Sequence, residues 1–120
     1  SFEQDPEKTC RFIFIDINDR LAAYICFNLN PSTKSSYDIY WIAVTPEQQR
    51  SGLGKELVRL AELEILRLGG TQALFETSGL ELYAPTRKFY GRCGYQKVAS
   101  IRDFYAEGDD KLIYQKFLRA

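Results

Sequence analysis

The sequence predicts an α/β domain of the α+β kind: a mixed, mostly antiparallel sheet with one parallel β-α-β crossover at its centre and helices packed on it. Three observations predict it. Runs rich in β-branched and aromatic residues come in pairs at both ends of the chain. The apolar spacing switches once, at Leu53, to steps of three and four residues. A strand stands directly before and after that helical stretch, which calls for a right-handed crossover between parallel strands. With 120 residues, 45% of them hydrophobic, the chain makes a single domain, 1–120, whose core needs no staples.

Each element has its own reason. Arg11 to Ile17 is dense in Phe and Ile and reads as a strand. Asn18-Asp19 signals a tight turn, and Leu21 to Leu29 completes a hairpin. Asn30 to Ser36, polar and carrying Pro31, is a loop. Tyr37 to Val44 is a third strand, stopped by Pro46. Leu53, Leu57, Leu60, Ala61, Ile65 and Leu68 then line one face of a helix of about four turns, ended by Gly69-Gly70. Gln72 to Thr77 is a short strand. A short helix starts at Pro85 and stops at Gly94. Tyr95 to Ile101 and Lys111 to Leu118 are the last strands, with Asp103 to Asp110 as the loop between them.

Composition excludes several chemistries. Sixteen basic and sixteen acidic residues cancel, so no net field draws nucleic acid or an anionic membrane. Histidine is absent, which removes His-based triads, His metal ligands and a His base. Cys10, Cys26 and Cys93 form no CxxC pair; they read as reduced thiols of a cytoplasmic protein, and no metal is expected. No apolar run approaches the roughly 20 residues of a membrane span, and the polar, charged Ser1 to Thr9 is not a signal peptide.

The most informative stretch joins the third strand to the long helix: Val44-Thr45-Pro46-Glu47-Gln48-Gln49-Arg50-Ser51-Gly52-Leu53-Gly54-Lys55. The first N–H groups of a helix have no partner within it, and the helix dipole adds partial positive charge there. Gly52 and Gly54 let an anion approach the main chain, and Arg50 and Lys55 add cationic charge. A Walker A loop does not fit, because one residue separates the glycines and Glu56 follows Lys55. A dinucleotide fingerprint lacks its third glycine, since Leu57 stands there.

Gln49-Arg50-Ser51-Gly52-Leu53-Gly54 resembles the Q/R-x-x-G-x-G/A signature of the GNAT superfamily of N-acetyltransferases. Downstream, Phe89-Tyr90-Gly91-Arg92-Cys93-Gly94-Tyr95 is similar to that family's (L/F)-Y-x-x-x-G-(F/Y) segment. The resemblance covers about Leu21 to Leu118. It implies a GNAT-like fold and acetyl-CoA-dependent transfer of an acetyl group to a primary amine, on a small molecule or a protein. It implies that the third strand splays from its parallel neighbour, so that the main chain of Ile42, Ala43 and Val44 pairs with the pantetheine arm. The segment Gln49, Arg50, Ser51, Gly52, Leu53, Gly54 and Lys55 would then hold the pyrophosphate of coenzyme A.

By the same resemblance Tyr90 is the acid that protonates the departing thiolate; on composition alone, packing is its other reading. Glu76, closing the strand after the long helix, is a candidate base, with Asp38 as the second. Arg87, one turn before Tyr90, either touches a cofactor phosphate or is solvated. The acidic, aromatic loop Asp103 to Asp110 either favours a cationic acceptor or is a solvated turn. The chain departs from the family in lacking the opening strand and two helices, and in carrying Tyr83 where an Asn is common. A fusion to a larger chain or a homodimer would complete the acceptor side. The alternative function is a non-catalytic acyl-CoA-binding or regulatory domain.

Overall fold

A computed structural model describes residues 10–119; the Ser1 to Thr9 segment therefore lies outside the described residues. The described chain contains β1 (Arg11–Ile17), β2 (Arg20–Leu29), β3 (Ser36–Val44), α1 (Leu53–Arg67), β4 (Gln72–Ser78), α2 (Ala84–Arg92), β5 (Gln96–Ala106) and β6 (Asp109–Phe117). This is the expected β-β-β-α-β-α-β-β order. Asn18 and Asp19 both have positive φ, as the two-residue hairpin turn requires.

The six strands form one sheet in the order β1-β2-β3-β4-β6-β5. Every pairing is antiparallel except β3 with β4. Helix α1 bridges that parallel pair. Its buried Leu57, Val58, Ala61 and Ile65 pack on Ala23, Ile25, Phe27, Ile39 and Phe75. Each of the Leu, Val, Ile and Phe side chains among them contributes about 1.5–3 kcal/mol when fully buried. The core thus sits between α1 and the centre of the sheet, and it fixes the start of α1 relative to β3 and β4.

The structure corrects one sequence expectation. Asp103 to Asp110 is not a loop. β5 continues to Ala106, β6 begins at Asp109, and only Glu107-Gly108 turns. Alternation failed to reveal this because the segment is irregular: register shifts fall between Lys97 and Ala99 and between Ile101 and Ala106. Asp103 itself has φ 57, and its carboxylate accepts the Gly108 N–H at 2.9 Å. An irregularity of this kind, with residues 102–105 unmatched between the Ile101–Lys111 and Ala106–Asp109 pairs, breaks the period-two pattern.

Candidate active site

The parallel pairing of β3 and β4 is short. It joins Ser36–Ile39 to Gln72–Phe75 and then ends. Beyond it β3 runs on to Val44 and β4 to Ser78, so the two strands form a fork. The far edge of β3 stays occupied by β2 up to Ala23 opposite Val44. Thr45 N–H bonds Ala22 O on that side at 2.9 Å. By the alternation of an extended strand, the Val44 and Ile42 main-chain groups therefore turn toward the open fork. The Val44 carbonyl on that side accepts a bond from Gln49 Nε2 at 3.1 Å, which fastens the following loop.

That loop is shaped for an anion. After a single 3₁₀ turn at Pro46–Gln48, Arg50 takes φ 68 and Gly52 takes φ 89. Only glycine adopts the latter without steric cost. Helix α1 starts at Leu53, and its first internal bond runs from Glu56 N–H to Gly52 O at 3.0 Å. No side chain caps this end. The amides of Leu53, Gly54 and Lys55 are therefore left to an external acceptor. Gly54 has a further reason to be glycine. A Cβ there would stand 3.2 Å from the Phe89 ring, so the second motif glycine sets the approach of α2 to α1.

A groove of about 640 Å³ runs along the fork to this helix start. Tyr40, Trp41, Ile42 and Val44 form one bank; Phe75, Phe89 and Tyr90 form the other. Gln49, Arg50, Gly52, Gly54 and Lys55 close its end at the start of α1. Ala43, Ser51 and Leu53 belong to the same segments without lining the groove by side chain. Arg92, which sequence reasoning passed over, also lines it. Its signal was present: it lies two residues after Tyr90 in the second motif.

Tyr90 is buried in an aromatic stack. Its ring lies 4.0 Å from Phe75, nearly parallel, and 5.5 Å from Tyr114 in an edge contact. Burial, with smaller contributions from the Tyr114 and Tyr105 phenols, pushes its hydroxyl up to about 12. It thus stays protonated throughout the physiological range. Packing and groove-lining prove compatible, because the ring stacks while the residue remains on the groove wall.

Arg87 lies elsewhere. Its Nη1 donates to Ser78 O at 2.9 Å and to Leu80 O at 2.8 Å, outside the groove lining. It ties the end of β4 to the segment leading into α2. Glu76 stands just past the point where β3 and β4 part, half-exposed, 3.0 Å from Lys111 Nζ. Asp38 lies on the paired part of β3 and accepts a bond from Asn30 Nδ2 at 2.9 Å. Burial raises the Asp38 carboxyl above its usual range; Asn30 opposes this, Glu76 adds to it and Lys111 opposes it. Among the described residues no group of His, Cys, Asp and Glu side chains is placed to hold a metal ion. No helix among them is long and apolar enough to cross a membrane.

Comparison with known proteins agrees with this geometry. The model of the acetyltransferase (GNAT) family matches residues 1–95. No curated protein matches the chain by sequence. A crystal structure of a protein from Desulfovibrio desulfuricans, assigned to the GNAT acetyltransferases, is 42% identical, with a TM-score of 0.88 over 90% of this chain and 68% of that one. An aminoglycoside 6'-N-acetyltransferase complexed with coenzyme A shares the fold at 17% identity, TM-score 0.81, covering 99% of this chain and 77% of that one. The ribosomal-protein-S18-alanine N-acetyltransferase of Escherichia coli does so at 19% identity, TM-score 0.77, covering 98% and 74%. The motif pair, the forked parallel strands and these matches together make the chain a member of the GNAT acetyltransferase family.

Proposed function

We propose that this chain is an acetyl-CoA-dependent N-acetyltransferase in which a primary amine attacks the thioester directly. One observation carries the reading. An uncapped helix start, an open strand edge and a protonated phenol lie along a single groove. The amides from Arg50 through Lys55 would grip the pyrophosphate, helped by the charges of Arg50, Lys55 and Arg92. The main chain of Ile42 and Val44 would pair with the pantetheine amides as a partial extra strand; Ala43, expected to join them, lies between them with its main-chain groups turned to β2. Gln49 holds the loop in shape through Val44. Arg87 acts at one remove, fixing the segment that carries Tyr90.

Acetyl-CoA supplies an activated acyl group, and the residues of this chain supply the rest. The amine must lose a proton before it attacks, because an ammonium of pKa about 10 carries no lone pair. Glu76 takes that proton, directly or through water. Asp38 is the second reading for this role, favoured by its burial, since a raised carboxyl is the stronger base. The Val44 N–H, turned into the fork, donates to the developing oxyanion. Tyr90 gives its proton to the departing thiolate. With its hydroxyl at about 12 against a thiol near 8.5, that transfer is uphill. It therefore depends on the phenol being held in place, which the stack on Phe75 does.

The test is calorimetry with acetyl-CoA followed by thiol release across a panel of primary amines. We expect one-site binding and turnover with at least one cationic amine. Absence of binding would remove the reading altogether. Binding without any turnover would instead favour an acyl-CoA-binding or regulatory domain, in which Tyr90 only packs.

A further inference from the structure

The face of the sheet around Glu76 holds a group that the proposed reaction does not use. Lys111, on β6, has its side chain largely buried, yet its ammonium is not spent on the core. Nζ lies 3.0 Å from Glu76 Oε1 and 4.4 Å from the centre of the Phe104 ring. A carboxylate on one side and an aromatic face on the other are the recognition elements of an alkylammonium. Asp38 adds a second carboxylate close enough for its own titration to feel both Lys111 and Glu76. Tyr40, a groove-lining residue, has its phenol pushed up first by burial and then by the charges of Asp38 and Glu76.

The place matters as much as the chemistry. Glu76 is the first β4 residue after the last paired residue, Phe75, and Tyr40 is the first β3 residue after Ile39. The group thus gathers at the crotch of the fork. In the proposed complex the thioester lies in that fork, and these side chains border its closed end. The β5–β6 arm brings Phe104 and Lys111 to this point because β5 continues to Ala106 and β6 begins at Asp109.

We infer that Lys111 occupies the acceptor's ammonium position in the free protein, so the acceptor is a flexible alkylammonium that competes with it. This rests on the acetyltransferase reading and deepens it by naming the acceptor class and the residue that sets its affinity. Displacement is feasible. Glu76 is half-exposed, and an ion pair with so much water around it is worth less than about tenfold in population. When the acceptor enters, Lys111 swings out on its own four-carbon stem and Glu76 receives the new ammonium. Glu76 is then in contact with the group whose proton it is proposed to take.

The experiment titrates n-butylammonium into wild-type protein and Lys111→Met, each saturated with coenzyme A, and follows the side-chain methylene signals by NMR. Methionine keeps the apolar stem against the sheet and removes the charge. We expect the variant to bind the probe more tightly, by up to about fivefold. In the wild type the Lys111 ε-methylene should move toward its free-lysine shift as the probe fills the site. Equal or weaker binding by Lys111→Met, or a Lys111 signal that ignores the probe, would overturn the inference. A parallel calorimetric titration with coenzyme A keeps the two readings apart. If coenzyme A does not bind, the acetyltransferase proposal falls; if it binds and the amine result is negative, only the role of Lys111 falls.

Discussion

At the scale of single residues, Tyr90 combines two demands that rarely sit on one side chain. Its ring is part of the core stack with Phe75, and the residue lines the groove. Removing only the oxygen separates them. Tyr90→Phe keeps the stack, so its melting temperature should stay within about 2 °C of wild type. Turnover should fall at least about tenfold, within the range general acids contribute, while calorimetry finds coenzyme A affinity within about twofold. Turnover that survives unchanged would take the acid role from Tyr90. Asp38 makes a prediction of opposite character. Its folded-state pKa is raised, so the native state binds the proton more readily than the unfolded chain does. Its contribution to stability is therefore greatest below the ordinary Asp value of about 3.9, and is lost as pH rises through the raised value. Asp38→Asn removes the titration and can still accept the Asn30 bond. In urea melts it should be more stable than wild type at pH 7, with the gap closing as pH falls into the carboxylate range. A gap that widens on acidification would contradict the assigned direction.

At the scale of elements, the decisive joint is between α1, α2 and the fork. Gly70 lets the chain leave α1 against the core. A Cβ there would stand 2.3 Å from Ile65 Cγ2 and 2.8 Å from Tyr37 Cδ1. Gly70→Ala should cost about 1–3 kcal/mol by denaturant titration, as overpacking does in a filled core. Gly52 has open space around it, but its φ of 89 strains any other residue. Gly52→Val should leave α1 formed by circular dichroism and weaken coenzyme A binding more than tenfold. The helix and its glycine turn were legible in sequence because the 3.6-residue period and the Gln49-to-Gly54 spacing are local signals. The fork was legible only through resemblance, since nothing within Tyr37 to Val44 says where pairing with β4 ends. The role of Gly54 was half legible: its place at the helix start was plain, while its contact with Phe89 depends on the docking of α2. The β5–β6 arm was missed because its irregularity around Asp103 hides a period-two pattern. Arg87 was drawn toward the cofactor by its helical spacing from Tyr90. Two main-chain carbonyls eight or so residues upstream, invisible to spacing, hold it instead.

At the scale of the molecule, a net charge of zero conceals separation. Arg50, Lys55 and Arg92 gather around the start of α1, while the neighbouring Arg59 and Lys116 are ion-paired with Glu56 and Glu62. Asp103, Glu107, Asp109 and Asp110 lie on the β5–β6 arm, beyond Glu76. A chain read only by its totals gives no field, whereas the folded one offers a cationic end to a diphosphate. Coenzyme A affinity should accordingly weaken several-fold between about 0.05 and 0.5 M salt, as expected for charges partly open to solvent. In the proposed complex one groove grips the diphosphate with bare amides and lays the pantetheine arm along the free edge of β3. The most direct measurement is a titration of ¹⁵N-labelled protein with coenzyme A, reading every backbone amide by NMR. The largest shifts should fall at Ile42, Val44 and Gly52 through Lys55, with the amides of β1 and of the β5–β6 turn unmoved. Saturable binding that leaves Gly52 through Lys55 unshifted, or shifts concentrated elsewhere on the sheet, would contradict this mode of binding.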